Sequence, residues 1–337
     1  MTSPRDEALE ALRDRVKAAA EAGDHLAAHD ALVQLGASLT GQRQLTEATA
    51  ALSHAAEHAR LGGDVPRRIA SLRGYGALLR RMPKREQEAE SVLRTSALLA
   101  RKEGDVQSEA LARRELLVLL LASQQWSKAA GEATASLELL GDKPDSMAKI
   151  EFLRGRAAAN KARGRMGAAS DDLMEAERMA REGGADRLSL ELRLEIRGAE
   201  YLRDGGAPED VDAILRDAAD VGADDVVVTA RFQEAAAALA TDADRAAEIG
   251  EELRVRARET ADPLTYLMAS LLVAEARERQ ADDAEVIRVL VTCRNSLKDA
   301  FGPKLSSHVT PILDSLPTRW GKERFGKALA QVKAGVR

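Results

Sequence analysis

A small residue followed closely by aspartate recurs along this chain at a near-constant step, and that mark limits the fold more than any other feature. It stands at Gly23-Asp24, Gly63-Asp64, Gly104-Asp105, Gly141-Asp142, Gly184-Ala185-Asp186, Gly222-Ala223-Asp224 and Ala261-Asp262. The steps are about 40 residues, the length of a helix pair in repeat proteins. The chemistry of the mark is specific. Glycine closes one helix in a left-handed turn, and aspartate accepts the free N–H groups that open the next. A chain punctuated this way reads as a string of helix hairpins.

The residues between the marks agree. Aromatic residues make up only 3% of the chain, whereas Ala, Leu, Arg, Asp and Glu dominate, an alphabet of helix formers poor in strand formers. Apolar residues recur at helical spacing. The first hairpin carries Leu32, Leu35, Gly36 and Leu39 on its leading (A) helix and Ala48, Leu52 and Ala55 on its returning (B) helix. Small residues at these points let antiparallel helices approach while leucines fill the space between them. The second hairpin has Leu72, Tyr75, Gly76 and Leu79, then Ala89 and Leu93; the third has Leu116, Leu117, Leu120, Trp126 and Ala129. The fourth has Leu153, Ala157, Leu173 and Ala176, and the fifth has Ala199, Leu202, Val211, Leu215 and Ala218.

The order large, large, small, large and then small, large, small resembles the tetratricopeptide signature. The likeness covers residues 24–300 and is best kept in the first five hairpins. The step near 40, against about 34 for the standard repeat, implies longer helices, as in kinesin light chains and bacterial signal-sensing activators. The resemblance implies an all-α, right-handed superhelical solenoid of antiparallel helix hairpins. Repeat arrays need capped ends. The expected division is an N-terminal capping helix in residues 1–23, about seven hairpins in 24–300, and C-terminal capping helices in 301–337. Ser3 and Pro4 supply the start signal of the first helix. Pro311 and Pro317 are expected to interrupt the pattern before a last amphipathic helix from about Thr318.

Charge and cysteine content narrow the functional classes. A net charge of −5 gives no general attraction to nucleic acid or anionic membrane, and the basic stretches lack interleaved aromatics for base stacking. A single cysteine, Cys293, excludes an internal disulfide framework and suits a reducing cytoplasm. The longest apolar run, Leu116 to Ala122, is far short of the roughly 20 residues a membrane-spanning helix needs. The expectation is a soluble cytoplasmic protein with no nucleic-acid partner and no membrane insertion, and with self-association possible through its two most apolar helical stretches, Leu116–Ala122 and Leu267–Ala274.

Catalytic signatures are absent from the sequence. Gly321-Lys322 lacks the upstream glycine and the following hydroxyl residue of a phosphate loop. Cys293 has no patterned histidine partner and falls at a small packed position. Asp210, Asp212, Asp217, Asp220, Asp224 and Asp225 form an acidic run best explained by helix ends and a solvated face. Histidine is the exception, because His25 with His29 and His54 with His58 are i, i+4 pairs. In an antiparallel hairpin the two pairs fall near each other, so a four-histidine metal site is the alternative to simple solvated rings. The expectation is no resident metal, no cofactor and no enzyme.

In proteins that this chain resembles, the A helices line a concave groove. Here those helices are rich in arginine: the second carries Arg67, Arg68, Arg73, Arg80 and Arg81 with no acid among them. Arg67, Arg73, Arg80, Arg114, Arg154, Lys161, Arg193 and Arg197 are the expected groove residues. Such a groove selects an acidic segment, since guanidinium groups pair carboxylates in a fork. The expected function is therefore a scaffold or adaptor that binds another protein. The alternative is a sensor module that binds a small ligand or signal peptide and changes its curvature.

Overall fold

The computed structural model describes residues 4–141, 146–204 and 211–334, and among them all regular structure is helical. Ser3, Asp142 and Asp210, assigned above to caps and to the acidic run, lie outside the described residues. The chain divides into two compact units, the first ending at Ala185 and the second beginning at Asp186.

In the first unit a leading helix, α1 (Pro4–Glu21), packs on four hairpins. The A helices are α2 (His25–Gly41), α4 (Val65–Leu79), α6 (Val106–Ala122) and α8 (Ser146–Ala162). The B helices are α3 (Leu45–Leu61), α5 (Glu86–Lys102), α7 (Trp126–Leu140) and α9 (Met166–Glu182). The marks do what their chemistry requires. Gly23, Gly63 and Gly104 sit at φ of 70°, 71° and 70°. Asp24, Asp64 and Asp105 accept the backbone N–H of Ala27, Arg67 and Ser108. The turns inside the first three hairpins are left-handed too, but at Arg43, Lys84 and Gln124 (φ 60°, 63° and 58°), where no glycine announces them; the fourth turns at Gly164.

The hairpins of the first unit close mainly on the expected residues, whereas Leu202, expected to pack in the fifth hairpin, is 60% exposed. Leu32, Leu39, Ala48 and Ala55 are buried in the first, and Leu79, Ala89 and Leu93 in the second. Leu116, Leu120 and Ala129 are buried in the third, and Leu153, Ala169, Leu173 and Ala176 in the fourth. Glycine is required where helices come closest. A β-carbon on Gly76 would lie 2.6 Å from Leu93 Cγ, and one on Gly155 would lie 2.4 Å from a methyl of Leu117. Helices α3, α5 and α7 each pack between their own A helix and the next one, and α6 also touches both α4 and α8. The A helices therefore form the shorter, inner row.

The second unit continues the scheme with α10 (Asp186–Asp204), α11 (Val211–Asp220), α12 (Asp224–Thr241), α13 (Ala243–Glu259), α14 (Pro263–Arg279) and α15 (Asp283–Phe301). A short turn of helix, α16 (Pro303–Ser306), leads to α17 (Thr310–Trp320) and α18 (Lys322–Ala334). The prolines do not interrupt as expected. Pro311 lies in the first turn of α17, where its missing N–H costs nothing, and Pro317 is inside that helix. The break comes at Gly321, with φ of 80°. Cys293 is fully buried, and burial pushes its thiol up from its ordinary value. No described helix is long and apolar enough to cross a membrane.

The second unit has two left-handed alanines, Ala261 and Ala281, and the first of them provides a test of this turn chemistry. Ala261 sits at φ 54° immediately before the cap Asp262, a conformation that costs an L-residue about 1 kcal/mol or more. Ala261→Gly is expected to stabilise the second unit by about 1 kcal/mol, and Gly63→Ala to weaken the first by a similar amount. Urea denaturation midpoints check both; a loss of stability in Ala261→Gly would refute the assignment.

Candidate functional site

The inner row of the first unit repeats its surface from hairpin to hairpin. Arg73, Arg114 and Arg154 recur at steps of 41 and 40 residues, so they occupy one position on α4, α6 and α8. One turn further along, Ala37, Ala77, Val118 and Ala158 form a row of mostly small side chains, none of them buried. Arg80 and Lys161 follow on α4 and α8. The face is a shallow floor with cations on both sides.

The eight expected groove residues fall into three groups. Arg67, Arg80 and Arg114 are tied to acids on neighbouring A helices. Arg67 reaches Asp30 at 3.2 Å and its own cap Asp64 at 2.7 Å, Arg80 reaches Glu115 at 3.3 Å, and Arg114 reaches Glu151 at 3.3 Å. Arg193 pairs with Asp217 of α11 at 2.6 Å, Arg197 is buried, and Arg154 is half-buried and engaged. Arg73 and Lys161 remain half-exposed, with no ion pair or side-chain hydrogen bond among the described residues.

The acids decide the balance. Helices α2, α4, α6 and α8 carry four: Asp30, Glu109, Glu115 and Glu151. Asp30, Glu115 and Glu151 are used in the pairs above, and the buried Glu109 accepts from Arg101 and Arg113 at 2.8 Å each. The hydrogen bond from His29, with Arg67 beside it, holds Asp30 below the usual carboxylate range. All four are therefore occupied, and Arg73 and Lys161 give this face an uncompensated positive charge.

The acidic run of the second unit is engaged in part, with Asp212 and Asp220 left exposed. Asp217 holds Arg193, Asp225 holds Arg187 at 2.6 Å, and Asp224 holds Arg256. The two apolar stretches are mainly packing helices. Leu116, Leu117, Leu119 and Leu120 are buried, as are Ala269, Ser270, Val273 and Ala274; Val118, Ala122 and Met268 are exposed.

The four histidines do not converge. His29 is buried, with Nδ1 2.8 Å from the Asp30 carboxylate and Nε2 2.9 Å from the Ser71 hydroxyl. Its ring is thereby turned into the α2–α4 contact. His54 is exposed. His25 and His58 do meet, Nδ1 to Nδ1 at 3.2 Å. Among the described residues no group of three or more histidine, cysteine or acidic side chains is arranged to hold a metal ion.

A contact between two Nδ1 atoms requires one ring to donate and the other to stay unprotonated. Burial, then the neighbouring His25, pushes His58 below its ordinary value. The unfolded chain therefore takes up this proton first as pH falls. The stability from the neutral pair is fully present above pH about 6.5 and is lost as pH drops from there towards the folded value. His58→Gln should flatten the stability profile of the first unit below pH 6.5, measured as urea midpoints over a pH series; an unchanged slope would count against the pair.

No protein-family model matches the chain, and no curated protein matches it. Among solved structures it is similar to a signal-transduction ATPase with numerous domains, with a tetratricopeptide repeat sensor, from Pyrococcus horikoshii. The TM-score is 0.64 at 15% identity, over 83% of this chain and 44% of that one. This chain thus spans less than half the length of that protein. Weaker likenesses are a Rap protein complexed with competence and sporulation factor and a tetratricopeptide repeat protein from Parabacteroides merdae. The first has a TM-score of 0.42 at 10% identity, over 97% of this chain and 89% of that one. The second has 0.33 at 15%, over 80% and 99%. The fold is that of tetratricopeptide-like helix hairpins.

Proposed function

We propose that this tetratricopeptide-like chain is a non-enzymatic scaffold whose first unit holds an acidic segment of another protein along the inner row of A helices. One observation supports the reading above the rest. Every acid on those helices is already paired, whereas Arg73 and Lys161 on the same face are not. Unpaired cations beside a floor of small side chains attract carboxylates and leave room for a peptide backbone.

The test is affinity capture from native lysate with the whole chain and with Arg73→Glu/Lys161→Glu, at two salt concentrations, read by mass spectrometry. Both side chains are half-exposed and unpaired, so helicity should be unchanged in the variant. Partners enriched by the parent chain should fall at least tenfold with the variant, equivalent to about 1.4 kcal/mol, and should weaken at high salt. The same partners captured equally by both chains, regardless of salt, would sink the proposal.

A second reading is a sensor module that changes curvature on binding a small ligand or signal peptide. The similarity in fold to a repeat region named as a sensor supports it. A thermal shift produced by a small molecule alone would favour it over the scaffold.

A further inference from the structure

Between the N-terminal halves of α6 and α8, the inner row of the first unit contains a pocket of 160 Å³. Its closed end is made by the buried Ala110 and Phe152. Leu111 and Met147 line it, Gln107 stands exposed beside it, and the Arg114–Glu151 ion pair forms one wall. Met147 is 54% exposed, a large apolar side chain left in water at the pocket's edge. The volume is about half that of the smallest usual small-molecule sites, roughly 300 Å³. It suits one side chain rather than a cofactor.

The charge around the pocket says what should surround that side chain. Inside, Arg114 is already satisfied by Glu151 and lies 3.7 Å from Glu115, so the pocket offers no free charge. The unpaired cations lie beyond it, Arg73 on the preceding A helix and Lys161 towards the far end of α8. An apolar centre with free cations on the preceding A helix and further along α8 complements an apolar residue that has carboxylates near it in sequence. Methionine suits such a wall, because its flexible thioether adapts to differently shaped apolar groups.

We infer that the pocket between α6 and α8 is the anchor point of the bound segment and takes a single leucine, methionine or phenylalanine side chain flanked by Asp or Glu. The inference rests on the scaffold reading, since it specifies the chemistry of the segment which that reading places on this face. Its energetic logic is that of protein interfaces generally, where one or two apolar anchors in desolvated pockets carry most of the affinity.

The experiment uses an array of acidic synthetic peptides of varied flanking sequence, each made with Leu, Met, Phe, Ala or Ser at a central position. Binding to the full chain is read by fluorescence anisotropy at low and high salt. Peptides with Leu, Met or Phe should bind at least tenfold more tightly than their Ala and Ser counterparts. Gln107→Trp, a substitution at an exposed position that puts an indole over the opening, should erase that preference while salt-sensitive binding of acidic peptides persists. Salt-sensitive binding without any preference at the central position would overturn the pocket inference and leave the scaffold reading standing. The same holds for a preference that survives Gln107→Trp in a variant whose melting is unchanged. No binding by any acidic peptide would overturn both.

Discussion

Leu93→Ala is expected to destabilise the first unit by about 3 kcal/mol, within the range for emptying a fully buried leucine site. Leu93 has no solvent exposure and fills the space that Gly76 leaves open, where a β-carbon would come within 2.6 Å of its Cγ. The truncation removes both the apolar transfer energy and the contacts of the lining atoms. The reverse change, Gly76→Ala, crowds the same space and should cost about 1–3 kcal/mol. If the two residues share one volume, the double variant will cost less than the sum, because the new methyl occupies part of the cavity. The chain's two tryptophans make the measurement specific, since Trp126 belongs to the first unit and Trp320 to the second. Urea unfolding followed by Trp126 in a Trp320→Phe background reports the first unit alone. Strict additivity of the two single changes would show that they do not share a space.

The second large effect concerns a buried charge. Glu109 is 2% exposed and accepts hydrogen bonds from Arg101 of α5 and from Arg113 of its own helix; Arg113 continues to Glu132 of α7. One carboxylate thus holds together guanidinium groups at the junction of three helices. Glu109→Ala leaves the poorly exposed Arg113 with Glu132 alone and should cost about 3 kcal/mol, since removing one partner strands the other away from water. Replacing both Glu109 and Arg113 by leucine leaves Glu132 with Arg94 at 3.8 Å and should recover part of that loss, because apolar pairs of similar volume often match buried ion pairs in stability. The same Trp126 signal measures both variants. A double replacement no more stable than Glu109→Ala would show that the charges contribute more than their desolvation costs.

The hairpins were legible in the sequence because their punctuation is local chemistry. A left-handed glycine and a capping aspartate act within a few residues, so Gly63 and Asp64 can be read without any partner. The turns at Arg43, Lys84 and Gln124 were not legible, since their side chains are ordinary and only the backbone is unusual. The inner face was half legible for a related reason. A view along one helix shows that α4 carries arginines and no acid, but the acids that engage them come from elsewhere: Asp30 from α2 for Arg67, and Glu115 from α6 for Arg80. Sequence spacing therefore overcounted the available cations. The same distance effect removes His29 from the alternative four-histidine site, because Ser71, 42 residues away, takes its Nε2. The marks align Arg73 with Arg114, but the fourth mark stands three residues further from Arg154, so the three-residue series shows only once the start of α8 at Ser146 is known.

The ion pairs between adjacent A helices also set how this chain comes together. Arg67 with Asp30, Arg80 with Glu115 and Arg114 with Glu151 close loops of 37, 35 and 37 residues, and these bonds skip no hairpin. Contact order within the first unit is consequently low, and no distant parts of its chain must find each other first. Any hairpin can serve as a nucleus, with its neighbours adding in either direction. Loss of one stitch is therefore felt locally, by the two hairpins it joins.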